Sequence, residues 1–169
     1  NRPVPGADGY PATEQEFETI RIQLADSHGL THSQINAMWR LVGNRIGAIF
    51  GAIFDTVDAN RGDRGDSSCD DISSLSGTDL PRMFVRRVIE NEWVETLGDL
   101  VERRLLLVGN AGLSEACLRE LAQCLVDANR LRPGDIDSAI TDCCTRLQRF
   151  YGKQVIDSEE THADVEGEE

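Results

Sequence analysis

Apolar residues along this chain recur at the three-and-four spacing of a helix face in five separate stretches, which predicts an all-α fold. The first stretch opens at Thr13, which with Glu16 has the form of a capping box; Phe17, Ile20 and Leu24 then mark a helix over 14–26. Asp26-Ser27-His28-Gly29 ends it. Thr31 and Gln34 repeat the capping signal and open the longest stripe, with Ile35, Met38, Trp39, Val42, Ile46, Ile49, Phe50, Ile53 and Val57 on one face. At 3.6 residues per turn that face is continuous for about six turns.

Asp79 and Pro81 start a third helix, whose apolar positions Phe84, Val88, Trp93, Leu97, Leu100, Val101 and Leu105 carry it to Val108, with Gly98 as a break or bend. Gly109 and Asn110 stop it. Ser114 caps a fourth helix with Cys117, Leu118, Leu121, Cys124 and Leu125 inward. After the Pro133-Gly134 corner, Asp135 caps a fifth, with Ile136, Ile140, Cys143, Leu147 and Phe150 on its buried side and Gly152 at its end. The expectation is a five-helix bundle: a flexible arm over 1–12, a single helical domain over 13–152, and an acidic disordered tail over 153–169. Between the second and third helices, residues 60–79 read as a long surface loop rich in Gly, Asp and Ser.

Two short runs recur in order. Leu41-Val42-Gly43-Asn44 returns as Leu107-Val108-Gly109-Asn110, and Val57-Asp58-Ala59-Asn60-Arg61 as Val126-Asp127-Ala128-Asn129-Arg130. Their near-equal separations point to a tandem duplication, giving two related helical halves with repeats at about 31–80 and 97–150. The competing explanation is that Asp-Ala-Asn-Arg is helix-ending chemistry used twice.

Composition narrows the function classes. Aromatics make up 5% of the 169 residues, so the core rests on Leu, Ile and Val with Trp39 and Trp93 as anchors. The net charge of −13 disfavours nucleic acid and anionic membrane surfaces as partners. The apolar run over 46–54 is too short to span a bilayer. Five cysteines, Cys69, Cys117, Cys124, Cys143 and Cys144, form no CxxC; an odd count in a chain of this size reads as reduced buried thiols, which leans toward an intracellular or organellar setting over a secreted one. Arg82, Arg86, Arg87, Arg103 and Arg104 are interleaved with Glu90, Glu92, Glu95 and Glu102, a salt-bridged exposed face more than a nucleic-acid stripe.

Candidate chemistry is thin. Asp58 and Asn60, and again Asp127 and Asn129, stand at the first and third places of an EF-hand-like loop, the local resemblance that makes calcium the one cofactor considered. The first loop lacks Gly at its sixth place and an acid at its twelfth, and the second needs two inserted residues and ends without Glu. Arg61-Gly62-Asp63 and Arg64-Gly65-Asp66 resemble integrin-recognition tripeptides, which turn composition produces by chance. His28, His32 and Asp26 lack the defined spacing of a metal cluster. No phosphate loop, HExxH or serine-hydrolase elbow is present.

Gly43, Gly47 and Gly51 fall four apart on the second helix and lay an edge without side chains beside Phe50 and Phe54. A partner helix can approach such an edge closely. The expected function is therefore a non-enzymatic protein-interaction or assembly subunit, with a protein partner or a homo-oligomer. A divergent calcium-binding or metal-free sensor is the first alternative, and an enzyme or small-molecule binder whose site the sequence does not display is the second.

Overall fold

The computed structural model describes residues 10–47, 49 and 72–155. Phe50, Gly51, Phe54, the first Asp-Ala-Asn-Arg run with Asp58 and Asn60, both RGD triplets and Cys69 lie outside these residues. The described chain is all-α, as the apolar spacing predicts: α1 Glu14–His28, α2 His32–Val42, α3 Arg82–Asn91, α4 Glu115–Asp127 and α5 Ile136–Tyr151, with short 3-10 and π-helical elements at Gly43–Arg45, Asp99–Arg104, Leu107–Gly109 and Pro133–Asp135 and no strand among the described residues. Nor is any helix of the described residues long and apolar enough to cross a membrane. The positions group into two compact units, residues 1–73 with 79–84, and residues 74–78 with 85–169.

In the first unit the caps act as the sequence implies. Thr13 Oγ1 accepts from the Glu16 amide at 3.2 Å. At α2 the box closes fully: Gln34 N–H donates to Thr31 Oγ1 at 3.2 Å and Thr31 N–H donates to Gln34 Oε1 at 2.9 Å. The other end of the same buried amide, Gln34 Nε2, donates to the Ile72 carbonyl at 2.6 Å, so one side chain starts a helix and ties down a distant strand of chain. Trp39 is half-buried, tilted against Phe17 at 4.8 Å and Tyr10 at 5.4 Å, with its indole N–H on the Tyr10 hydroxyl at 3.0 Å. Leu30, Ile35, Met38, Ile46, Leu80, Met83 and Phe84 are buried apolar side chains of this unit.

The long second helix departs from expectation. Its α-helical backbone closes at Val42, because Gly43 sits at φ +58 and ψ −140, and a 3-10 turn over Gly43–Arg45 follows before helical backbone resumes at Ile46. A left-handed φ interrupts a helix face whatever the apolar spacing on either side. Gly43 is thus a helix stop, and the recurring Leu-Val-Gly-Asn runs differ in backbone: Gly109 has no positive φ.

The third predicted helix is two elements. α3 ends at Asn91, residues 92–96 are irregular, and a π-helical segment Asp99–Arg104 follows. Thr96 Oγ1 accepts from the Asp99 amide at 3.0 Å, a fresh N-cap that restarts the helix before Gly98. Leu97, Leu100, Val101 and Leu105 are buried as expected, but Trp93 falls in the irregular stretch and is 77% exposed, not a core anchor. Phe150 is 59% exposed where a buried position was expected. α4 begins with Ser114 accepting from the Cys117 amide, and its five predicted inward residues are all buried. α5 enters through a 3-10 turn at Pro133–Asp135 with no side-chain cap from Asp135, and ends at Gly152.

The segment 74–78, read from sequence as loop, is fixed in place. Leu75 is buried, and Ser76 donates both its amide and its hydroxyl to the two carboxylate oxygens of Glu120 on α4, at 2.9 and 2.7 Å. Gly77, at φ +69, and Gly112 pack backbone to backbone: a Cβ on Gly112 would sit 2.2 Å from the Gly77 carbonyl oxygen. Backbone cannot give way as a side-chain tip can. Gly112→Ala is therefore expected to cost about 2 kcal/mol or more, whereas Gly134→Ala, where a Cβ meets nothing within 4 Å, changes stability little or raises it; urea denaturation midpoints of the two variants check this.

Candidate functional site

The sequence-predicted residues separate once placed. Asp127 is the last residue of α4 and accepts from Gln123 Nε2 at 2.9 Å. Asn129 stands at φ +56 just beyond it, with its own N–H on the Val126 carbonyl and the Arg130 N–H on the Leu125 carbonyl, at 2.9 and 2.8 Å. That pair of bonds is a Schellman motif with Asn at the left-handed position. Helix-ending chemistry accounts for this copy of the Asp-Ala-Asn-Arg run. Among the described residues no group of three or more His, Cys, Asp or Glu is arranged to hold a metal. Gly43 closes α2, and Gly47 is exposed with open space around it. The structure does not bring the two into one helix edge.

Cysteine chemistry is muted. Cys117, Cys124 and Cys143 are buried, Cys144 is half-buried, and none of these four is in a disulfide. Burial pushes the Cys143 thiol up to about 12, with Cys144 and the carboxylate of Glu102 adding to the shift, so it stays protonated and unreactive at neutral pH.

A more organised cluster surrounds the π-helical turn. The turn is defined by Leu105 N–H donating to the Leu100 carbonyl five residues back, at 2.9 Å. Glu102 lies on it just after the buried Leu100 and Val101, its own side chain 6% exposed. Arg146 of α5, 54% exposed, meets it in a two-pronged pair, Nε to Oε1 at 2.8 Å and Nη2 to Oε2 at 3.1 Å. The Tyr151 hydroxyl donates to Oε2 at 3.1 Å. Gly98 permits the approach: a Cβ there would stand 3.3 Å from both Arg146 Nε and Glu102 Oε1. The Arg146 guanidinium holds the Glu102 carboxyl below its ordinary range, burial opposes it, and the Tyr151 hydroxyl adds to the lowering.

The same turn steadies the Trp93 stretch. Arg104 pairs with Glu92 at 2.9 Å and donates to the Trp93 carbonyl at 3.1 Å, while Val94 next door is buried. Trp93 is thus an exposed ring on a held backbone. Just after the turn, Leu106 is 61% exposed at φ +50, a conformation costing a non-glycine residue about 1 kcal/mol. On α5, exposed Phe150 has the guanidinium carbons of Arg146 and Arg149 at 5.5 and 5.3 Å from its ring centre, and Tyr151 is 52% exposed.

Sequence reasoning missed this cluster because Glu102 finds Arg146 and Tyr151 at separations of 44 and 49 residues, where no local pattern reaches. The exposure of Trp93 did have a signal: Thr96 and Asp99 form a capping pair inside what looked like one helix. Comparison with family models, with curated proteins and with solved structures gives no match, so the site is read from its own geometry.

The Glu102 pair makes a pH-dependent prediction. The carboxyl ionises at lower pH in the folded state than unfolded, so the folded state binds fewer protons in that window; its contribution is complete above the ordinary value of 4.5 and disappears as pH falls through the depressed one. Glu102→Gln is expected to lower the denaturation midpoint near neutral pH, with the gap from wild type narrowing in acid below 4.5. Urea melts across that range check it, and an equal gap at every pH overturns it.

Proposed function

We propose that this chain is a non-enzymatic protein-interaction module whose contact surface includes Trp93. The observation that carries the reading is the 77% exposure of that ring on backbone held by Arg104 and by buried Val94. Water gains nothing from a large exposed indole, and tryptophan is among the residues most enriched where binding energy concentrates. A ring presented on an already ordered segment loses little conformational freedom on binding.

Supporting features point the same way. Phe150, Tyr151 and Leu106 are also exposed in the same unit, and Leu106 keeps a strained backbone without gaining burial. The aromatics are few, and this unit exposes three of them, Trp93, Phe150 and Tyr151. The glycine-edged second helix is the weaker basis for the function, since Gly43 stops that helix.

A photo-crosslinking amino acid at position 93 tests the proposal against the same probe at 142, an exposed polar position on α5. Discrete protein adducts are expected from 93 and not from 142. Equal labelling from both overturns the reading. Trp93→Ala is expected to abolish competition for that adduct while changing folding stability by less than about 0.5 kcal/mol, since the ring buries little within the chain.

A further inference from the structure

We infer that the π-helical turn Asp99–Arg104 is a conformational relay, in which the grip of Arg146 on Glu102 sets the placement of Trp93. A change at the end of α5 is thereby transmitted to an exposed ring that is anchored by a different residue of the turn.

Two side chains of this turn hold different parts of the chain. Glu102 takes two donors of Arg146 and the Tyr151 hydroxyl, at 2.8, 3.1 and 3.1 Å, all from α5. Arg104, two residues on, pairs with Glu92 at 2.9 Å and donates to the Trp93 carbonyl at 3.1 Å. What joins the two sets of contacts is the turn backbone, and it is wound wider than an α-helix. The Leu100 amide reaches four residues back to the Thr96 carbonyl at 3.2 Å, but the Leu105 amide reaches five back to Leu100 at 2.9 Å. Such winding is rare and confined to single turns, so it persists where contacts from outside the turn hold it. The neighbouring pairs, Glu90 with Arg87 and Asp99 with Arg103, close within three and four residues and transmit nothing between elements.

The burial of Glu102 supplies the driving force. Its side chain is 6% exposed, and a carboxylate so placed does not stay there once its cation is gone. Without Arg146 it turns toward water, the backbone rewinds toward the ordinary four-residue ring, and Arg104 is re-aimed away from Glu92 and the Trp93 carbonyl. The two ends are thus coupled through contiguous contacts within one unit. Where Trp93 is a contact residue, as proposed above, an event at the end of α5 changes how the ring is presented. The relay itself is read in the chain alone, so its failure and the failure of that contact are separate results.

The chain has two tryptophans, so fluorine-labelled tryptophan gives two fluorine NMR resonances. Trp93→Phe assigns them, and Trp39, in the other unit, is the reference. Arg146→Ala in the full chain is expected to shift the Trp93 resonance and leave that of Trp39 in place. It is also expected to speed hydrogen exchange of the Leu105 amide about ten-fold or more while leaving that of Leu121 on α4 unchanged. Arg149→Ala removes the same charge from the same helix end and the same kind of contact with Phe150, and is expected to move neither resonance. Arg104→Gln, which cuts the last contact of the relay, is expected to shift Trp93. Tyr151→Phe removes the hydroxyl alone; it is expected to shift Trp93 in the same direction as Arg146→Ala by less, and it replaces that variant if circular dichroism shows the fold lost. A Trp93 resonance that stays in place when Arg146 or Arg104 is changed overturns the relay. An equal shift from Arg149→Ala overturns it too, as does movement of both tryptophans together, the mark of general loosening.

Discussion

A carboxylate taken out of water needs a counterion and hydrogen bonds of its own, and in this chain that requirement falls on Glu102. Its side chain is 6% exposed on a π-helical turn that also carries the buried Leu100 and Val101. Arg146 supplies two N–H donors and Tyr151 one O–H, and because Arg146 remains half in water the cation keeps much of its hydration. The desolvation cost is thus confined to one partner. The consequence reaches outward: the last turns of α5 are oriented by polar contacts to Glu102, and Phe150, which apolar spacing alone assigns to the buried side, stays outside with Arg146 and Arg149 against its ring.

The turn carrying Glu102 also organises the stretch before it. A π-helical turn holds one more residue per hydrogen-bonded ring than an α-helical one, which shifts the directions of successive side chains along it. Glu102 faces α5 through this turn while Arg104, two residues on, reaches Glu92 and the Trp93 carbonyl. The Glu102–Arg146 and Arg104–Glu92 pairs on one short turn therefore steady both the end of α5 and the tryptophan segment.

Local signals were legible in the sequence and distant ones were not. The Thr31 and Gln34 capping box, the Ser114 cap, the inward face of α4 and the stop at Gly152 could be read because each is set within a few residues by hydrogen bonds the backbone must make. Apolar spacing failed where backbone overrode it. At Gly43 a positive φ stops a helix whose side chains still match a longer one, and at 92–96 a new N-cap from Thr96 divides a stripe that looked continuous. Leu75, inside a polar stretch, is buried because Ser76 is anchored to Glu120 by 44 residues of intervening chain, a constraint with no trace in local composition. The Glu102 cluster was illegible for the same reason.

The Asp-Ala-Asn-Arg run around Asn129 shows how a motif with a functional look also serves folding. A calcium loop requires its first and third residues to turn oxygens toward a common centre. Asp127 instead takes the Gln123 amide, and Asn129 adopts the left-handed conformation that ends α4. Asparagine tolerates that conformation better than most residues, which suits it to the helix end. The surface around Trp93 has the opposite character: no folding requirement explains an exposed indole there, since neighbouring Val94 and Leu97 already supply the buried contacts of that stretch. Where a costly side chain has no role within its own fold, the reason for it is most reasonably sought in what it meets outside.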